Sequence, residues 1–213
     1  MVQLKRRTVI GAMCFTLCIP VLARGTPTGD DMVAQIAAHL AAAPGVRAEF
    51  VQTQNLAAMQ KPLVSTGSLV FLRGHGMIWR IATPYQAIYR ITADGIAEVD
   101  AQGVRKPNAN PNGVRGMSQI SKMLNAMLGG DLSGLYSQFD VAPSGRISQW
   151  RLLLIPNQPQ LAQAIKQLEL DGGEFLQGIR IMQANGDSIQ IEFLHSTAIH
   201  ALTPAERGQL GGS

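Results

Sequence analysis

The side chains best suited to metal ligation or nucleophilic chemistry are few and scattered: His39, His75, His195 and His200, with Cys14 and Cys18. His195 and His200 stand five apart, which on a strand, where i and i+2 share a face, does not bring two imidazoles to one metal. There is no G-x-S-x-G elbow, no H-E-x-x-H and no G-x-x-x-x-G-K phosphate loop. Gly74-His75-Gly76 lacks the third glycine and following helix of a nucleotide loop and reads as a hairpin turn. No acidic pair stands where a glycosidase-like site could be argued. The expectation is therefore a non-enzymatic protein, with no catalytic residue, no metal and no cofactor. The chain is 46% hydrophobic and 15% charged, more apolar material than a plain sheet and two helical segments need. A curved sheet around a helical plug would use that surplus, and so would one around an empty apolar cavity; composition does not separate them.

The first residues bear on the compartment. Lys5, Arg6 and Arg7 precede the apolar run Val9 to Ala23, and Val21-Leu22-Ala23 places small residues where a signal peptidase reads them. Residues 1–23 are read as a cleaved leader and 24–213 as a single mature, exported domain. The run is shorter than the roughly 20 apolar residues of a membrane span, and Pro20 interrupts it. Arg6-Arg7 hints at twin-arginine export, although the general route fits better. Cys14 and Cys18 both lie in the leader, so the mature chain has no thiol and no disulfide. Removing three of the 18 Lys+Arg and none of the 14 Asp+Glu leaves 15 against 14, or +1. That is no footprint for nucleic acid.

The elements follow from period. Met32, Val33, Ile36, Ala37 and Leu40 recur at helical spacing after Asp30, read as the N-cap, and Pro44-Gly45 ends that helix. Alternation then takes over: Val46, Ala48 and Phe50 in a first strand, Ser65 to Leu72 in a second, Met77, Trp79 and Ile81 on one face of a third. Ala87 to Thr92 and Ile96 to Asp100 pair across Asp94-Gly95. Ile120, Met123, Leu124, Met127 and Leu128 after Ser118 form an apolar helical stripe. A second short helix is read over Leu132, Leu135, Tyr136 and Phe139. Strands resume at Ser148–Ile155, Lys166–Asp171, Phe175–Gln183 and Ser188–Leu194, and a last helix near Pro204–Leu210. At least seven antiparallel strands, interrupted by helices at about 118–139, give an α+β fold.

Several of these residues, in this order, resemble the periplasmic lipoprotein carrier family LolA. Phe50-Val51-Gln52 matches its Phe-x-Gln strand, Gly67-Ser68-Leu69 with Arg73 its Gly-x-Leu ending in Arg, and Trp79 the Trp six residues on. Pro84 and Asp94-Gly95 follow in family order. Trp150 to Pro156 resembles the strand after the helical insertion, and Asn185-Gly186-Asp187 through Phe193 the late hairpin. The resemblance implies a strongly curved, incomplete antiparallel barrel closed by a helical lid. It also implies a location in the periplasm and a carrier that shields the acyl chains of lipoproteins or a related lipid cargo, between an inner-membrane donor transporter and an outer-membrane acceptor. A monomer is expected.

On that reading Leu69, Phe71, Met77, Trp79, Ile81, Ile120, Met123, Leu124 and Met127 line the cavity, and Arg73 stands where the family's arginine hydrogen-bonds the lid backbone. An acyl chain of about 16 carbons offers on the order of 12 kcal/mol on burial, so a carrier needs an adaptable lining and a cheap closure. Thioethers such as Met77, Met117, Met123 and Met127 suit that lining, and equally suit gap-filling in an ordinary core. The sequence departs from the family pattern at Arg73-Gly74, where Arg-Pro is usual, in its 5% aromatic content, and in ending soon after the late hairpin. A lipid, a lipid-linked precursor or an acylated pigment are cargo alternatives, and a lipid-sensing regulatory or adaptor protein is the functional one.

Overall fold

The computed structural model describes residues 29–107 and 133–211. Helix α1 (Gly29–Leu40) buries Val33, Ile36, Ala37 and Leu40, the i, i+3, i+4, i+7 stripe of an amphipathic helix. Asp30 lies within the helix, and its side chain, expected as the N-cap, lies outside the described residues. Five strands follow as consecutive antiparallel hairpins: β1 (Gly45–Asn55), β2 (Leu63–Leu72), β3 (Gly76–Thr83), β4 (Ala87–Thr92) and β5 (Gly95–Val99). After α2 (Ser133–Tyr136) come β6 (Phe139–Arg146), β7 (Gln149–Pro156), the one-turn α3 (Pro159–Ala162), β8 (Ile165–Gly172), β9 (Leu176–Gln183), β10 (Ser188–Ile199) and α4 (Pro204–Leu210).

The strands form one sheet in the order β5-β4-β3-β2-β1-β10-β9-β8-β7-β6. Two five-stranded meanders are thus joined along β1 and β10, the most distant pairing in sequence, with Phe50 opposite Phe193. Ten strands at about 4.8 Å spacing would span roughly 43 Å if flat. Yet Trp79, Tyr89 and Ile91 belong to the same buried cluster as Leu152, Leu154 and Leu168, together with Val33, Ile36 and Leu40 of α1. The sheet is curved around that core and remains open, because β5 and β6 are its two edges.

Two expectations need correction. Phe139 does not continue a helix: α2 stops at Tyr136 and Phe139 opens β6, a strand missed because Pro143 interrupts its alternation. A proline inside a strand is tolerated at a sheet edge, where an N–H need not be paired, and β6 is an edge. The last strand also runs five residues past Leu194, to Ile199. Its register against β1 shifts between Arg47 and Glu49, beside His195 with φ of 53°. An extra residue flips the alternation. Ile191 and Phe193 consequently face the main core, while Ile199 joins a second cluster with Val70, Leu72, Ile78 and Leu202 on the opposite, convex face.

Helix α4 packs on that convex face through Leu210. Thr203 caps it in a reciprocal box with Glu206, Pro204 takes the first turn, and Gly211 ends it with φ of 82°. Glu206, its side chain 10% exposed, accepts from Arg47 Nη2 at 2.8 and 2.9 Å. Burial raises the carboxyl pKa, but the Thr203 backbone N–H and the Arg47 guanidinium outweigh it and leave the group below its ordinary value. A lowered folded-state pKa adds stability above the unfolded value of about 4.5, lost as pH falls through the folded one. Glu206→Gln, which can still close the capping box, should lower stability at pH 7 by about 1–2 kcal/mol. The deficit should shrink in denaturation curves taken below pH 4.

Candidate functional site

The concave face is built by alternation in register. Leu69 lies opposite Trp79 and Phe71 opposite Met77, so both expected sets point the same way across β2 and β3. Leu69, Phe71, Met77, Trp79 and Ile81 are all buried in the main core. Ile120, Met123, Leu124 and Met127, with Met117, lie outside the described residues. Across β4 the same face continues through Ala87, Tyr89 and Ile91, with Trp79 opposite Tyr89.

At the centre an aromatic group crosses the sheet. The rings of Phe50 and Trp79 stack at 4.0 Å with planes 26° apart, and Phe193 meets Trp79 edge-on at 6.3 Å and 88°. Phe50 and Trp79 sit on β1 and β3, with β2 between them, and stacking requires the intervening position to be empty. Gly67, opposite Phe50, is that position: a Cβ there would fall on the Arg80 carbonyl oxygen and lie 2.7 Å from Phe50 Cζ. The Phe-x-Gln, Gly-x-Leu and Trp spacing noted in the sequence is thus one packing unit. The second meander repeats the device, where Trp150 lies over Gly172, whose Cβ would meet Trp150 Cζ2 at 2.6 Å.

Arg73 closes the other end of β2. Its backbone N–H donates to Pro44 O at 2.9 Å, and its Nη2 donates to Ala41 O at 2.6 Å and Ala43 O at 3.4 Å. Those carbonyls belong to the segment just past α1, where a helix leaves acceptors unpaired and a cation is favoured. The arginine therefore grips the end of α1. It is solvent-exposed, so water competes and the grip is worth about 0.3–1 kcal/mol, less than a buried charged hydrogen bond. Beneath the end of α1 a cavity of about 20 Å³ is lined by Leu40, Val46, Ala48, Leu69, Phe193 and Ser196, among others. That holds about one water. An open hollow of about 350 Å³ lies beside Arg73, walled by Phe71, His75 and Thr92.

Two buried polar atoms stand out in this apolar face. Trp79 Nε1 and Tyr89 Oη make no well-formed hydrogen bond among the described residues. Burial first, then the neighbouring Tyr85 and Glu98 and a loose hydrogen bond toward the Tyr85 side chain, push the Tyr89 hydroxyl up to about 12, so it stays a donor throughout the physiological range. Sequence reasoning missed Tyr89, as well as Phe50 and Phe193 as lining; its signal was the alternation Ala87, Tyr89, Ile91 in phase with Met77, Trp79, Ile81. Among the described residues no three His, Cys, Asp or Glu gather to hold a metal ion, and no helix is long and apolar enough to cross a membrane.

No curated protein sequence matches this one. Among solved structures, the LolA superfamily protein NE2245 from Nitrosomonas europaea is similar at 8% identity and a TM-score of 0.45, over 80% of this chain and 93% of that one. MucB is similar at 13% identity and a TM-score of 0.49, over 82% of this chain and 61% of MucB. The sequence profile of the outer membrane lipoprotein carrier protein LolA-like family matches residues 25–207, nearly all of the described structure and every strand of the sheet, and the chain belongs to that family.

Proposed function

We propose that this protein is a non-enzymatic periplasmic carrier, which shields the acyl chains of a lipoprotein or related lipid against the concave face of its sheet. The observation that carries the reading is that face itself. It is apolar from Ile91 through Trp79 and Phe50 to Phe193, it belongs to an open sheet, and one end is held shut by the exposed Arg73 grip on α1. A 20 Å³ cavity is far below the roughly 300–1,000 Å³ of ligand pockets, so cargo enters as α1 swings away. The apolar surface then lost to α1 is regained against acyl chains at about 0.8 kcal/mol per methylene. Donor transporter, outer-membrane acceptor and the helical lid belong to this reading as its partners and closure.

The test is cargo binding by the mature protein. In a Trp150→Phe background, Trp79 emission should shift and saturate with one C16 lysophospholipid per chain, and native mass spectrometry of the periplasmic protein should show co-purifying lipid or acylated protein. An unresponsive Trp79 with no co-purifying lipid, or a stable complex with a membrane signalling protein in its place, would overturn the carrier assignment.

A further inference from the structure

Among the described residues the apolar face carries two buried donors without a well-formed hydrogen bond, Trp79 Nε1 and Tyr89 Oη, the second of them directed toward the Tyr85 side chain at the rim. A buried N–H or O–H without an acceptor costs about 1–3 kcal/mol and is uncommon in native structures. Here two occur on neighbouring strands and the same face, since Trp79 and Tyr89 are directly opposite each other and both are less than 2% exposed. The other tryptophan shows that the fold satisfies an indole where it needs to: Trp150 Nε1, equally buried, donates to Gly173 O at 3.0 Å. The pair is also flanked asymmetrically. Toward β1 lie the rings of Phe50 and Phe193. Toward the β5 edge lies Glu98, opposite Tyr89, ion-paired with half-exposed Lys106 at 3.1 Å.

We infer that Trp79 Nε1–H and Tyr89 Oη–H are the recognition point for the carbonyl oxygen at the base of an acyl chain, in an ester or amide, so that the carrier selects acyl over alkyl lipids. The inference rests on the carrier reading and adds an orientation to it. The hydrocarbon runs over Phe50 and Phe193, the carbonyl accepts from the donors, and the polar end leaves at the β5 edge near Glu98 and Lys106. Acyl carbonyls come from membrane glycerolipids and from lipoproteins alike, and the donors serve either.

The probes are C16 lysophosphatidylglycerol, which has an acyl ester, and its 1-O-hexadecyl ether analogue, both below their micelle-forming concentrations. The wild-type protein should bind the ester about tenfold more tightly, the size expected when a buried donor gains or lacks its acceptor. In Tyr89→Phe, and separately in Trp79→Phe, ester affinity should fall more than ether affinity, so that the gap closes to about threefold or less. A synthetic tripalmitoylated cysteinyl peptide, competing against the ester, then identifies the source. Displacement at lower concentration than by free lysolipid assigns the carbonyl to a lipoprotein, and the reverse order assigns it to membrane lipid. Equal affinity of the wild type for ester and ether, or a gap unchanged in both variants, overturns the donor assignment and leaves the carrier standing. Failure of wild type to bind either probe or the peptide instead removes the carrier reading on which it rests.

Discussion

Gly67→Val should lose about 4 kcal/mol or more of stability, a large share of the 5–15 kcal/mol that holds an ordinary domain. The new Cβ would land on the Arg80 carbonyl oxygen and lie 2.7 Å from the Phe50 ring. Neither can give way cheaply. Arg80 is in β3, where the register already absorbs an extra residue, Ala82, between the partners of Thr66 and Gly67. Phe50 is wedged against Trp79 at 4.0 Å, so moving its ring unstacks the centre of the concave face. Overpacking of this kind ordinarily costs about 1–3 kcal/mol, and a collision with a strand backbone adds to it. Gly208→Ala serves as the control. It lies within α4, its Cβ meets only the Gln102 carbonyl at 3.9 Å, and replacing a helical glycine should stabilise by about 0.5–1 kcal/mol. Urea denaturation of the two variants should diverge in sign. If Gly67→Val stays within about 1 kcal/mol of wild type, the aromatic packing unit has been misassigned.

Arg73→Leu should fold almost normally, within about 1 kcal/mol of wild type, yet hand cargo over about two- to fivefold more slowly. The grip on Ala41 and Ala43 exists only when α1 is seated, so its energy favours the closed, empty protein over the loaded one. Removing it leaves the apolar lining untouched, and uptake should persist. Release is coupled to the reseating of α1 and loses that contribution, and a change of about 1 kcal/mol is a factor of five or so in rate or equilibrium. Transfer of a pyrene-labelled acyl lipid from the loaded variant to an outer-membrane acceptor protein, set beside its thermal melt, separates the two effects. A variant that transfers at the wild-type rate shows that Arg73 is an ordinary surface contact. One that melts far below wild type shows that the grip is structural.

Much of this architecture was legible in the residues. Period-two runs placed β1 to β5 and β7 to β10, helical spacing placed α1, and a short last helix was expected near Pro204–Leu210, where α4 lies. Alternation is local, and a half-buried strand displays it whatever lies beside it. For the same reason Leu69, Phe71, Met77, Trp79 and Ile81 could be expected to share a face before any partner strand was known. β6 escaped because Pro143 erases its pattern, and its edge position, which makes that proline tolerable, is a property of the assembled sheet.

The sequence by itself therefore determined every strand but β6, the face each side chain takes within its strand, and membership of the family through Phe50, Gly67, Arg73 and Trp79. Only the tertiary structure decided how those local facts combine. It paired β1 with β10 across more than a hundred residues of intervening chain, and it turned Ile199 outward through the bulge at His195. It also seated α1 under Arg73 and placed Trp79 and Tyr89 side by side with no well-formed hydrogen bond among the described residues. Register, bulges and unmet hydrogen bonds depend on which distant strand arrives alongside, and no periodicity within one strand encodes its neighbour.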